Sequence, residues 1–540
     1  MQRSLSSRAA AAATVVFALT TVGACGRDRV SETPAFPDAP IVVISVDTLR
    51  SDHLPFYGYS GVETPALTAL RRDSVLFERA YSPVPLTLPS HASLFTGQPP
   101  AEHGVHDNLG YRLNPSLPTL AELLRKAGFR TGAAVSAFVL GKGPGIERGF
   151  EFYEDGVQPA SALTSPSLIQ RSGAESASLL SEWIEAQAGS RFFAFLHIYE
   201  PHTPYEPPEP FRTRYASNPY DGEIASADAT VGAFLSRLRE KGLYDPALIV
   251  FLSDHGESLG EHGEDEHGIL LYRATLQVPL LLKLPGGRLA GTTVREPVQL
   301  ADVFTTIGET TATPGFPRIE GTVSLVALAS GARPPERLLF AETHFPRIHY
   351  GWSSLASALD GKWHYVDAPS PEFYDLENDP GETASRAAER PGPFRAMAVA
   401  LEKRRTAFQA PATVSDEDRK KLASLGYLST GASASAASLP DPKAEIGTVR
   451  ALRDAVARTA SGRPQEALPL FEDLLKRNPS MTDVWELYAN ALMASGRSSE
   501  ALGAMRRTVE LSPPHATIPL LSVASICLQS GLADEALKNA

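Results

Sequence analysis

Three stretches of the chain carry side chains that could hold a metal ion or attack an ester. Ile41 to Val46 is apolar apart from Ser45 and ends in Asp47. Leu248 to Leu252 is apolar and ends in Ser253-Asp254-His255-Gly256. Between them Val84 to Gly97 reads VPLTLPSHASLFTG, with Thr87 followed four residues later by His91. Two carboxylates and an imidazole, Asp47, Asp254 and His255, are good ligands for a divalent metal. A threonine hydroxyl is a poor nucleophile at neutral pH, and coordination to a metal lowers its pKa so that it can attack phosphorus in line. Taken singly these signals are weak. An Asp at a strand end is often a helix cap, Asp-His-Gly can be a turn, and Thr87 can be a turn residue before a helix.

The elements that must position these groups follow from the apolar pattern. Short β-branched runs ending in polar residues read as buried parallel strands, and ligands bind outside the C-terminal ends of such strands. Phe192 to Leu196 repeats the pattern and is followed by Glu200-Pro201-His202; Leu280 to Leu284 is a further strand. Pro65 to Phe77, Leu117 to Ala127 and Ala225 to Lys241 carry apolar residues at helical spacing. Strands alternating with helices predict an α/β layered fold. Gly361 to Tyr365 and Glu372 to Leu376 read as two small strands. PSHASLF after Thr87 predicts a helix capped by Ser90, with its first amides turned toward an anion. His197 on its strand reads as a packed core histidine, and His103, His106 and His262 are equivocal. HFPRIHYGW, His344 to Trp352, either lines a cleft or packs.

A length of 540 residues is enough for about three to four domains. The formal charge of −12 and the lack of a Lys/Arg block argue against a nucleic-acid partner. Arg3 and Arg8 precede an apolar run from Ala9 to Thr20, and Val22-Gly23-Ala24-Cys25 resembles a bacterial lipobox. That predicts a signal peptide over 1–24, a lipid anchor in the membrane through Cys25, a tether over 25–40, and a place in the bacterial cell envelope facing the periplasm or exterior. Cys527 is the other cysteine, so no internal disulfide is expected. The catalytic region is assigned to 41–410 and a linker, Ser/Ala/Gly-rich from Thr430 to Ser438, to 411–444. In 445–540, Gly462, Ala467 and Pro479 recur 34 positions on as Gly496, Ala501 and Pro513, and Gly531 and Ala536 begin a third copy. This period resembles the tetratricopeptide repeat, which implies stacked helix pairs and a protein or peptide partner.

The chemistry-bearing residues gain weight as a set. IVVISVDTLRSDHLPFYGY, TLPSHASLFTG, FFAFLHIYEPHTPYEPP, IVFLSDHGESLGEHG and GKWHYVDAPSPEFYDLENDPGET, in that order from Ile41 to Glu382, resemble the sulfatase branch of the alkaline phosphatase superfamily. The resemblance implies a layered mixed sheet flanked by helices, a small C-terminal antiparallel sheet, and then the all-α repeat array. It makes Asp47, Asp254 and His255 metal ligands together with Thr87, which holds the nucleophile position because Pro89, Thr96 and Gly97 keep the family's spacing. It makes His202 the histidine that assists the leaving group or contacts the transferred group. His267, in EHGIL, falls near a basic residue that relatives place on the substrate's anionic group. His91 stands where most sulfatases have Arg, and is expected to help offset charge on the transferred group.

Departures from the family pattern narrow the chemistry. Most sulfatases convert a Cys or Ser of the signature to formylglycine, but neither cysteine lies in the signature, and Ser82 has Val84 where Pro or Ala is needed. Phosphate-handling relatives use an unmodified threonine. Ser136 and Phe138 fall near where sulfatases place a Lys and a His on the sulfate, and Thr48 replaces a second Asp. The implied cofactor is one divalent ion (calcium, zinc or manganese), with the lower negative charge better suited to a transition metal. The reading is a metal-dependent hydrolase of an anionic ester, using Thr87 on a phosphate mono- or diester. A sulfuric ester hydrolase, a phospho-group transferase to an envelope glycan or lipid, and an inactive repeat scaffold are the alternatives.

Overall fold

The computed structural model describes residues 34–108, 110–157, 170–187, 189–334, 336–404, 408–411, 439–479, 481–511, 523–524 and 527–528. Residues 1–24, Cys25 and the first part of the tether, the run Thr430 to Ser438, Pro513 and the third repeat copy lie outside them.

Among the described residues a mixed sheet of nine strands forms the centre. In chain order these are β1 (Ile41–Val46), β2 (Val75–Tyr81), β3 (Arg130–Ala134), β4 (Phe152–Glu154), β5 (Phe192–Ile198), β6 (Leu248–Ser253), β7 (Gln277–Lys283), β8 (Thr293–Val294) and β9 (Val298–Gln299). The spatial order is β4-β3-β5-β1-β6-β7-β2-β8, with β9 also on β2. β1 lies parallel between β5 and β6, while β7 is antiparallel to both β6 and β2. Successive β1 side chains explain why the run is apolar throughout. Ile41 and Val43 join the core under the Thr87–Thr96 and Ala301–Thr310 helices. Val42, Ile44 and Val46 join the opposite core under Pro65–Arg72, Gly173–Glu185 and Pro219–Glu240. A strand covered on both faces has no polar side.

All three expected helices have different bounds, and Leu117 to Ala127 shortens to Leu120–Lys126. The stretch Pro65 to Phe77 is not one helix: the helix ends at Arg72 and Val75 enters β2. The apolar triplet Val75-Leu76-Phe77 fits helical spacing, yet its β-branched and aromatic content suits pairing with β7. The later helix starts earlier than expected, at Pro219, where the Asn218 side chain accepts from the Asp221 amide. The helix Leu120–Lys126 begins on a capping box between Thr119 and Glu122.

A second, antiparallel sheet has four strands, β10 (Leu339–Thr343), β11 (Leu355–Leu359), β12 (Trp363–Asp367) and β13 (Glu372–Asp375). The helices Pro442–Ala460, Pro464–Arg477, Thr482–Ala494 and Ser498–Leu511 follow. Gly462 and Gly496, one repeat apart, both adopt left-handed φ values, 74° and 77°, at the tight turns between helices. Ala467, Leu468, Phe471 and Leu474 pack with Leu492, Ala501 and Met505. The same core cluster takes in Leu86, Ile269, Leu270, Phe345, Tyr350 and Trp352, so the repeat helices share buried apolar surface with the catalytic region. The segment from His344 to Trp352 packs: Phe345, Ile348, Tyr350 and Trp352 are buried.

Gly256 shows how closely the β6 loop is held. A Cβ there would lie 2.0 Å from the Ala274 carbonyl oxygen, and the Gly256 amide donates to Thr275 O at 2.8 Å. Gly256→Ala must therefore push the β6 loop away from Ala274. The expected cost is about 1–3 kcal/mol of stability, read by denaturant unfolding with and without added divalent metal. An unchanged midpoint would contradict this packing.

Candidate active site

The site forms where β1, β5 and β6 end together. Val46 is in register with Ile198 on one side and Ser253 on the other, so the next residues, Asp47 and Asp254, emerge at one level. The Asp47 amide donates to Ile198 O at 2.9 Å. Thr48 then turns the chain with φ 53°, a costly conformation for a β-branched residue. Tyr220 stabilises that turn, donating its hydroxyl to Thr48 O at 2.7 Å and accepting from the Arg50 amide at 3.0 Å. Leu49 N donates to Ser253 Oγ, which in turn donates to His255 O, tying the two loops together.

Thr87 opens the Thr87–Thr96 helix directly after extended Leu86. This corrects the expected Ser90 cap: the cap is Leu86, four residues earlier, with Pro89 tolerated in the first turn. Ser90 instead donates its hydroxyl to Asp254 O at 2.7 Å. The amide of Leu88 donates to Asn108 Oδ1 at 2.8 Å. Gly97 ends the helix at φ 69°.

Thr87 Oγ1 lies 3.4 Å from both Asp47 Oδ2 and His255 Nε2. His255 Nε2 is 3.6 Å from Asp47 Oδ1 and 3.6 Å from Asp254 Oδ2. His255 Nδ1 is 2.9 Å from Gly256 O. A carbonyl only accepts, so the ring proton sits on Nδ1 and the Nε2 lone pair faces the carboxylates. Asp47, Asp254 and His255 are at most 1% exposed. Asp47 Oδ1 and Asp254 Oδ2 are buried without a hydrogen-bond partner. Burial pushes the Asp47 carboxyl up to about 7, against the lowering effect of His255. Asp254 also rises to about 7, through burial and the Asp47 charge. Burial holds His255 down at about 3, so it is neutral. Two orphaned carboxylate oxygens and a neutral imidazole nitrogen fit a divalent cation.

The other histidines divide by position. His91 lies one helical turn beyond Thr87, donating from Nδ1 to Thr87 O at 2.7 Å while Nε2 accepts from Ser45 Oγ at 3.0 Å. Burial lowers it to about 4. Both ring nitrogens are thus engaged by the protein, and the ring buttresses the first helical turn. His267 lies beside His255, ring centroids 4.4 Å apart, with Nδ1 2.8 Å from Glu257 Oε1. His202 follows at 5.1 Å from His267, donating from Nδ1 to Thr203 O at 2.6 Å. Burial and the neighbouring His267 hold His202 well below its ordinary value.

His197 is the residue that a core assignment misses. Its Nε2 is 3.3 Å from Asp47 Oδ2, and with His91 and Asp254 it forms a second group of possible ligand atoms. The signal was its place on β5 beside β1, which only sheet order reveals. Glu257, fully buried and pushed well up by burial, was also unmarked by sequence. His103 accepts from Val105 N and pairs with Ser93 Oγ, and His262 stacks on Tyr272; both serve packing. His106 meets Glu342 and His344 in a separate cluster.

The sulfatase family model matches residues 40–313, and a tetratricopeptide repeat model matches 458–518. The chain belongs to the sulfatase family and is a hydrolase of the sulfate or phosphate ester type. It is 26% identical over 437 residues to choline-sulfatase from Rhizobium meliloti, covering 65% of this chain and 83% of that protein. It is 26% identical over 424 residues to human arylsulfatase A, covering 63% and 82%. Among solved structures, the phosphonate monoester hydrolase of Agrobacterium radiobacter superposes with a TM-score of 0.57 at 22% identity, covering 68% of this chain and 95% of that one. At that identity the likeness is one of fold.

The electrostatics predict proton-coupled metal binding. Protons compete for Asp47 and Asp254 up to about pH 7, so affinity for a divalent ion rises with pH through 7 and then levels off. In the chelated protein the sign reverses for stability. A carboxyl with a raised folded pKa favours folding least once it must ionise, so stability falls as pH climbs from about 4 through 7. Calorimetric metal titrations and denaturant unfolding at pH 5 to 8 check both. Asp254→Asn is expected to lose stoichiometric metal, and affinity flat across this range would contradict the assignment.

Proposed function

We propose that the protein is a metal-dependent esterase that uses unmodified Thr87 as nucleophile on a phosphate mono- or diester. The observation that carries this is the 3.4 Å placement of Thr87 Oγ1 against Asp47 and His255, with no cysteine in the segment. Asp47, Asp254, His255 and Thr87 would hold one divalent ion. Such an ion lowers the pKa of a coordinated hydroxyl and offsets negative charge on the ester's oxygens.

The chain's own groups supply the remainder. Asp47 Oδ2 accepts the hydroxyl hydrogen of Thr87, which leaves the oxygen free to bond to phosphorus as the ester oxygen departs. His267, beside His255 with Nδ1 facing Glu257, is placed to donate from Nε2 to the departing oxygen, and His202, its ring proton held by Thr203 O, offers its Nε2 lone pair as an acceptor. Water or an acceptor hydroxyl then takes the phosphoryl group from Thr87. His91 fixes the turn that presents Thr87 through its bond to the Thr87 carbonyl. The N-terminal end of the buried helix adds a favourable dipole for an anion, although the Leu88 amide is taken by Asn108 and Pro89 has none to offer.

The named sulfatase relatives support sulfuric ester hydrolysis as the second reading. Against it, Ser136 at the position of a sulfate-contacting lysine donates to His197 O at 2.9 Å and pairs with Ser176. The lipobox-like Val22 to Cys25 supports anchoring in a bacterial envelope, and the repeats support a peptide or protein partner.

Aryl phosphate mono- and diesters and an aryl sulfate, offered to the wild type and to Thr87→Ala, test the reading. The phosphate esters should be turned over by the wild type and lose at least about a thousandfold in rate in the variant. Turnover of the sulfate alone, or full activity in Thr87→Ala, would overturn it.

A further inference from the structure

His267 rides on a loop that the repeat region holds in place. The helix Pro442–Ala460 lies against the turn Glu261–Gly263 and the residues that follow it. Arg450 grips Asp265 with two bonds, Nε to Oδ2 at 2.9 Å and Nη2 to Oδ1 at 2.6 Å. Arg453 donates from Nη2 to Glu266 Oε2 at 2.5 Å. A Cβ on Gly263 would lie 3.0 Å from Ile446 Cγ2, so backbone and helix are in close contact there. The loop is also tied inward. Ser258 N donates to Glu266 O at 2.8 Å, and Glu264 Oε1 accepts from Ile269 N and Leu270 N.

The charge pattern gives Arg453 a particular weight. Glu264 is buried, and Glu266 near it is half-buried with Arg453 as its bonded partner. Arg453 is the cation bonded to Glu266, as Arg450 is to Asp265. The Arg453 guanidinium is half-buried. An exposed ion pair contributes about 0–1 kcal/mol, but this one bridges two elements, so its removal frees the loop from the helix. Without that tie the loop can move outward, which carries His267 away from Glu257 and His255.

We propose that Arg453, assisted by Arg450, is a positioning residue of the ester-hydrolysing site. Through Glu266 it fixes the loop that presents His267 beside His255 and His202, so the first repeat helix forms part of the catalytic wall. This rests on the esterase reading above. It gives the repeats a role within the chain in addition to any partner they bind.

Arg453→Ala, Arg453→Lys and the exchange Arg453→Glu/Glu266→Arg test it in the full chain. The alanine variant should keep bound metal and its unfolding midpoint while kcat falls by about 10- to 100-fold. Arg453→Lys should recover most of the rate, and the exchange should recover part of it. Amide hydrogen exchange over residues 257–270 should quicken in Arg453→Ala and slow again in Arg453→Lys. Wild-type kcat in Arg453→Ala, or a loss that tracks loss of metal and of folding, would overturn the proposal. If the alanine variant does not fold, a folded exchange variant with no recovery of rate overturns it. Should the wild type turn over neither ester class, the esterase reading fails by itself. Hydrogen exchange then decides the positioning claim, which unchanged exchange in Arg453→Ala overturns.

Discussion

Two carboxylates brought together out of water are the constraint on which this architecture turns. Asp47 and Asp254 emerge at one level because β1 and β6 run parallel and in register. Each keeps one oxygen buried without a hydrogen-bond partner. An unpaired buried charge costs several kcal/mol, and two neighbouring ones cost more. A divalent cation held by Asp47, Asp254 and His255 Nε2 would resolve the conflict. The unusual local features serve that arrangement. Thr48 accepts a left-handed backbone so that Asp47 faces Asp254, Tyr220 bonds across the turn, and Gly256 lets the β6 loop pass close to Ala274.

Around that centre the protein surrounds negative charge with neutral imidazoles. His91, His197, His255 and His267 are all driven toward the neutral form by burial. Neutral rings can accept from or donate to a substrate without competing with a metal for the carboxylates. Thr87 lies 3.4 Å from both Asp47 and His255 at the start of a fully buried helix. Sulfatase kinship therefore coexists with a hydroxyl where most of the family carries a modified residue. The proposal that the protein acts on phosphorus rests on that difference.

Much of this was legible in sequence where the signal is local. The apolar runs ending in Asp47 and Asp254 are strands, and the layered α/β class follows from their alternation with helices. The 34-residue repeat was visible because its glycines are required by left-handed turns at Gly462 and Gly496. What stayed hidden depends on partners distant in sequence. His197 reads as core until β5 is known to lie beside β1. Glu257 acquires meaning only through His267, and the His267 loop through Arg453 far along the chain. Val75 to Phe77 matched helical spacing and strand content alike, and β7 decided between them. The strands β8 and β9, two residues each, are too short to leave a periodic trace.

The central claim is that Thr87 bonds covalently to the transferred group. Acid-quenching the enzyme during turnover of an aryl phosphate, then mapping its peptides by mass spectrometry, tests this most directly. One phosphoryl group is expected on the peptide containing Thr87, absent without substrate and absent in Thr87→Ala. Steady turnover with no phosphoryl group ever found on Thr87, or found on another residue, would contradict it.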